Sequence, residues 1–249
     1  MKKIILREGI GTFLLLIMPI AVCISGWRWQ PDRTSFQLLL FQITKTSTFP
    51  WALLTSMLLC AWFLKCLQLR MKPAMMLVAI LISVMIAGQC SKLVIKAQVK
   101  ELRPYITWLE NTYNINQKEF YTTTRAERGE LIKHTLAGDT TIYRWLKQYW
   151  ASDTDYAFPS GHTIFATSWA LLGIGMLWPR RYYKTIIVLM LWATGVMVSR
   201  LALGMHWPCD LIMGTLISGV LATIATGITR KLGVPVMTFT SGDDSKITD

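Results

Sequence analysis

Histidine occurs three times in this 249-residue chain, and none of its five cysteines stands in a C-x-x-C spacing. That excludes the common zinc-ribbon and dithiol redox motifs. Cys23, Cys60, Cys66 and Cys90 lie in or at the edge of apolar segments, so small apolar filler is the expected role, ahead of disulfides or metal. The same expectation applies to Cys209. Charge is also scarce: 16% of residues are Asp, Glu, Lys or Arg, against 53% hydrophobic. The apolar residues come in long blocks rather than interleaved with polar ones. Blocks that approach about 18–20 residues with few charges read as membrane spans, which points to an integral membrane protein. Acidic residues are the rarer sign, 14 Asp+Glu against 26 Lys+Arg, for a net charge of +12. No basic stripe with interleaved aromatics suggests a nucleic-acid site. The cations sit instead at the ends of apolar blocks, where they act as topology signals and as partners for anionic lipid or phosphate. Internal repeats and low-complexity segments are absent.

Six candidate spans fall at about 9–26, 50–68, 74–95, 163–178, 185–203 and 211–228. The expected fold class is therefore all-α: a polytopic membrane protein of six transmembrane helices with a partly helical periplasmic insertion. Its expected divisions are 1–104 (three spans and a first motif), 105–158 (the insertion), 159–230 (three spans with two further motifs) and 231–249 (a cytoplasmic tail). The first block resembles a signal peptide, but no small-x-small cleavage site follows it and Glu8 precedes its apolar core, so an uncleaved anchor is expected. One set of short loops collects Lys2, Lys3, Arg7, Lys65, Arg70, Lys72, Arg180, Arg181, Lys184, Arg230, Lys231 and Lys246; the other holds only Arg28, Arg33 and Lys45. That asymmetry places both termini in the cytoplasm and the long loop, roughly 96–161, outside. Within that loop Ile142, Trp145, Leu146 and Tyr149 recur at helical spacing, as in a short helix packed on the membrane domain or a lip beside a lipid entrance. His134 is read as a loop residue.

Three stretches at the outer face carry the chemistry. In "KAQVKELRP", Lys96 and Arg103 are seven apart, about two helical turns, so one helix face could present two cations to an oxyanion. Snorkelling at a helix end is the competing explanation. In "FPSGHT", Pro159-Ser160-Gly161 makes a turn, Ser160 caps the following helix, and Gly161 lets a ligand approach a helix N-terminus suited to phosphate. An ordinary capped helix start with an interfacial His162 remains open. In "SRLALGMHWPCD", Arg200, His206 and Asp210 fall within eleven residues at a bilayer edge, where such side chains are costly without a use. A carboxylate on one imidazole nitrogen fixes the tautomer and frees the other to attack or to bind metal.

Lys96-x6-Arg103-Pro104, Pro159-Ser160-Gly161-His162 and Ser199-Arg200-x5-His206-x3-Asp210 together resemble the three-part signature of the type 2 phosphatidic acid phosphatase superfamily, with all eleven specified positions matching in order. The resemblance implies a metal-independent lipid phosphatase without cofactor, working through a phosphohistidine. His206 would be the nucleophile, Asp210 its orienting partner, and His162 the acid and then the base. Lys96, Arg103, Ser160, Gly161 and Arg200 would hold the phosphoryl oxygens. It also implies a multi-pass protein of the bacterial inner membrane with its site at the periplasmic face. The expected partners are the bilayer and phospholipid or isoprenoid phosphate substrates, with no nucleic acid and no obligate protein partner. Phosphatidylglycerol phosphate leads the expected substrates, followed by undecaprenyl pyrophosphate, diacylglycerol pyrophosphate, phosphatidic acid and lysophosphatidic acid. Alternatives are undecaprenyl pyrophosphate as the main substrate, a metal hydrolase using His162, His206 and Asp210, and a lipid or anion carrier without chemistry. Asp153 and Asp155 are candidates for positioning a substrate amine or hydroxyl.

Overall fold

The middle of the molecule is a helix without a polar face. In a computed structural model that describes residues 1–234, helix α9 (Gly161–Leu177) is buried at every position from Thr163 onward. A helix apolar on all sides must be surrounded by others. Here α1 (Lys2–Ile24), α3 (Trp51–Leu67), α4 (Met71–Val99), α10 (Tyr183–Ala202) and α11 (Pro208–Lys231) supply that surround. Five smaller α-helices and a 3-10 turn (Trp178–Arg180) complete the helical elements of the described residues: α2 (Phe36–Lys45), α5 (Pro104–Tyr113), α6 (Gln117–Thr122), α7 (Arg125–Thr135) and α8 (Arg144–Ser152). No strand occurs among them, in agreement with the all-α expectation. The expected tail beyond Val234, with Lys246, lies outside the described residues.

The outer faces of the surrounding helices are as apolar as the inner ones. Phe13 and Ile17 of α1, Leu54 and Leu58 of α3, Ile82 and Ile86 of α4, Val188 and Leu191 of α10, and Val220 and Ile224 of α11 are all exposed. An apolar belt of that extent belongs against lipid. Helices α1, α4, α10 and α11 are long and apolar enough to cross a bilayer. Helices α3 and α9 have 17 residues each, about 25 Å at 1.5 Å per residue. By length and composition, then, four of the six expected spans qualify. Two boundaries matter for the site: α4 runs on to Val99 and carries Lys96 inside the helix, and α9 starts at Gly161, so His162 is in its first turn.

The helices alternate in direction, which gives the bundle two chemically different ends. At one end Arg7 lies over the Trp178 ring, 5.9 Å from its centroid, and Glu8 accepts from Thr226. At the other, α2 and α5–α8 fold into a cap with its own aromatic core. Tyr105 stacks on Trp150 (centroids 5.0 Å apart, 5° between planes), and Trp150 Nε1 donates to the Leu203 carbonyl at 2.9 Å. Trp29 Nε1 donates to Ala202 in the same region. The short helix expected from Ile142, Trp145, Leu146 and Tyr149 is α8, and its Trp145 and Tyr149 rings pack on Phe41 of α2. His134 is in the last turn of α7, which corrects its reading as a loop residue; the Thr124–Glu127 capping box that starts this helix marks it.

Candidate active site

All three motif stretches meet at the capped end. Backbone and indole hydrogen bonds tie them together: Trp207 Nε1 donates to the Leu102 carbonyl (2.7 Å), Tyr105 N to Gly204 (3.0 Å), and Ser160 N to Asp210 (3.2 Å).

The first motif does not present one helical face. Helix α4 stops at Val99, Lys100 adopts the left-handed region (φ 52°), and Arg103 is the N-cap of α5. Lys96 and Arg103 are therefore on different elements, and the segment at residues 153–158 brings them together. Lys96 donates to the Tyr156 carbonyl. Arg103 Nε donates to the Asp155 carbonyl (2.6 Å), while its two Nη atoms take both oxygens of Asp153 (3.1 and 2.7 Å). A guanidinium only 1% exposed needs such a partner, because an unpaired charge at that depth is strongly destabilising.

At the start of α9 the Ser160 hydroxyl accepts from Thr163 N (3.3 Å) and Thr163 Oγ1 (2.9 Å), as an N-cap does. A Cβ on Gly161 would come within 2.6 Å of Lys92 Cδ, so glycine lets the Lys92 stem of α4 cross the helix start. His162 Nε2 is 2.9 Å from the Thr48 hydroxyl, which comes from the link between α2 and α3.

The third motif straddles the α10–α11 link. Arg200 is fully buried and donates through Nη1 to Thr44 Oγ1 (3.1 Å) and to the Tyr149 hydroxyl; its Nη2 is 3.6 Å from Asp153 Oδ2. Among the described residues no hydrogen bond reaches its Nε or Nη2. His206 Nδ1 lies 2.9 Å from Asp210 Oδ2, and the same oxygen accepts from Trp207 N at 2.9 Å. The carboxylate is thus fixed before it fixes the ring, and Nε2 is left free. Burial first, and then the Arg200, Arg103 and Lys96 charges, hold the His206 imidazole well below its usual range, so the ring is neutral. Burial alone would push the Asp153 carboxyl up; Arg103 and Arg200 outweigh it and hold it well below the usual carboxylate range.

A cavity of about 680 Å³ opens from these groups between α3 and α4. Its inner wall carries Lys92, Lys96, Arg103, Arg125, Asp153, Gly161, His162 and His206, and its outer wall is Phe49, Ala52, Leu53, Met85, Ile86 and Leu93. Of the expected site residues, Lys96, Arg103, Gly161, His162 and His206 line it, whereas Ser160, Arg200 and Asp210 are not among its lining residues. No group of three or more His, Cys, Asp or Glu able to hold a metal occurs among the described residues. Thr44, Thr48, Lys92, Arg125 and Tyr149 were not singled out for the site in the sequence. Only Lys92 had a local signal, one helical turn before Lys96; the others reach the site through long-range packing.

Comparison with known proteins identifies a family and relatives. The PAP2 superfamily model matches residues 77–233. Phosphatidylglycerophosphatase B of Escherichia coli (strain K12) is 51% identical over 237 residues, covering 95% of this chain and 93% of that protein. Phosphatidylglycerophosphatase B of Haemophilus influenzae is 30% identical over 238 residues, covering 93% of this chain and 98% of its own.

Proposed function

Since the chain belongs to the PAP2 superfamily, we propose that it is a membrane-embedded lipid phosphatase that hydrolyses phosphatidylglycerol phosphate to phosphatidylglycerol and inorganic phosphate. The observation that carries the reading is the His206–Asp210 pair, 2.9 Å apart, on a cavity wall that also bears Lys96, Arg103 and His162.

In the first step His206 Nε2 attacks phosphorus and the phosphorus–ester bond breaks, while His162 gives its proton to the leaving alkoxide. Asp210 holds Nδ1–H and stabilises the positive charge that the phosphorylated ring acquires. In the second step His162 takes a proton from water, which attacks phosphorus and releases phosphate and His206. Lys96, Arg103, Arg200, Ser160 and the Gly161 N–H serve the phosphoryl oxygens, where charge spreads in the transition state. The two Arg200 nitrogens without a hydrogen-bond partner among the described residues favour that role. The Thr48 hydroxyl orients the His162 ring for its proton transfers.

The apolar outer wall of the cavity supports a path by which acyl chains stay among lipids while the headgroup reaches His206. Nothing on that wall is specific for one tail. This favours tolerance of phosphatidic acid, lysophosphatidic acid, diacylglycerol pyrophosphate and undecaprenyl pyrophosphate. In the topology we infer, α3 and α9 complete a six-span bundle in a bacterial inner membrane. Both termini are cytoplasmic, and the capped end with the site faces the periplasm.

The test is phosphate release from phosphatidylglycerol phosphate by the detergent-purified protein, with and without EDTA, beside His206→Ala. Chelator-resistant release that drops by roughly 10³-fold or more in the variant is expected for a lost covalent nucleophile. Loss of release on adding EDTA would move the histidines to metal ligation, and unchanged release in His206→Ala would overturn the nucleophile assignment. No release from any lipid phosphate would leave the carrier reading.

A further inference from the structure

The cysteines carry an inference that composition argues against. Helices α1 and α11 pack antiparallel beside α9, and their register is set by contacts at two levels: Glu8 Oε1 with Thr226 Oγ1 at 3.0 Å, and Thr12 against Gly219. The second contact is close, since a Cβ on Gly219 would fall 2.7 Å from Thr12 Oγ1. Small residues at such a contact let two helix backbones approach. Cys23 lies 11 residues beyond Thr12 on α1, and Cys209 lies 10 residues before Gly219 on α11. At about 3.6 residues per turn each step is about three turns, so both cysteines fall on the same paired faces, one level nearer the capped end. The side-chain surroundings agree: the Cys23 side chain is a neighbour of the Cys209 side chain. Both residues are exposed, so a small oxidant can reach them, and both are free thiols in this structure.

We propose that Cys23 and Cys209 form a reversible disulfide that staples the end of α1 to the first turn of α11, one residue before Asp210. The oxidant is a disulfide, either a small molecule such as oxidised glutathione or a protein thiol oxidase. One of the two thiols loses its proton, and the thiolate attacks the oxidant's disulfide and displaces one thiolate from it, giving a mixed disulfide. The second thiolate then attacks the protein sulfur of that bond and expels the oxidant's other half. Two protons and two electrons leave the cysteines, and the oxidant departs as two thiols. The staple closes a long loop, from residue 23 to residue 209 of 249, the case in which constraining the unfolded chain matters most. If the capped end faces the periplasm, the pair lies in an oxidising compartment. The pairing itself does not depend on that topology or on phosphatase activity.

Thiol mapping of the full-length purified protein tests it. After oxidised glutathione, denaturation and alkylation, mass spectrometry is expected to find the peptides of Cys23 and Cys209 linked within one chain, with Cys60, Cys66 and Cys90 alkylated. Dithiothreitol removes the link. Oxidation raises the thermal unfolding midpoint of the wild type by a few degrees, and produces no rise in Cys209→Ser or in Cys23→Ser. Glutathione adducts without the linked peptide, a link between two chains, or alkylation of both thiols after oxidation would each overturn the proposal. A linked peptide without a change in midpoint would overturn the staple.

Discussion

Asp153 is the residue on which the site's cations converge. Arg103 takes both its oxygens and Arg200 approaches the second, so one carboxylate partners two buried guanidiniums. The sequence makes it only a candidate for positioning a substrate amine or hydroxyl; its position makes it a spacer between cations that would otherwise repel one another. Asp153→Asn keeps the shape and removes the charge. Thermal unfolding at pH 7 is expected to show a destabilised variant, by about 1–3 kcal/mol for a partly exposed member of such a cluster. The pH dependence follows from the direction of the shift. Because the folded carboxyl sits below its unfolded range, its contribution is complete above about pH 4 and fades as pH falls through the lower folded value. The gap between wild type and variant is therefore expected to narrow below about pH 4. A gap that widens with acid would assign the effect to something other than this charge.

Among the elements, the first turn of α9 combines a capping serine, a glycine and a histidine in three consecutive positions, and the glycine makes room for a side chain of α4. Gly161→Ala places a methyl where the Lys92 stem now runs, 2.6 Å from Cδ and 3.4 Å from Nζ. A lysine stem can yield, so the fold is expected to survive while the ammonium leaves its place on the cavity wall. The expected outcome is a loss of about tenfold in kcat/KM, equivalent to about 1.4 kcal/mol, with an unfolding midpoint close to wild type. Equal activity would show that Lys92 can move without consequence. The cap helices contribute in a different way. They supply few groups to the cavity, but the segment after α8 provides the Tyr156 and Asp155 carbonyls and the Asp153 carboxylate that hold the first motif. The cap is thus a clamp on the site as well as a cover on the bundle end.

For the whole molecule, the difference between the two ends is the property that matters. The cap and cavity occupy one, and Arg7, Lys72, Arg180, Arg230 and Lys231 gather at the other. The proposed orientation is testable with single cysteines. Glu130→Cys on the cap is expected to react with a membrane-impermeant maleimide in intact spheroplasts, above the signal of the parent chain. Lys184→Cys, at the start of α10, is expected to react only after lysis. The reverse pattern would turn the molecule over and put the site in the cytoplasm.

Apolar block length, the sign of the flanking charges and the order of the motif residues were legible in the sequence, because each is a local property of the chain. They determined the helical class and the approximate positions of the apolar helices. The seven-residue spacing of Lys96 and Arg103 misled, since periodicity assumes one continuous helix and cannot register a left-handed residue at Lys100. Helix α2 carries no span-length signal, yet it brings Thr44 to Arg200, and the link that follows it brings Thr48 to His162. Ser160, Arg200 and Asp210 differ from the cavity-lining residues only in depth, which no pattern records. The tertiary structure alone decided which polar side chains pair. Those contacts join residues as far apart as Glu8 and Thr226, and they are fixed by how helices pack around α9, a property of no single segment.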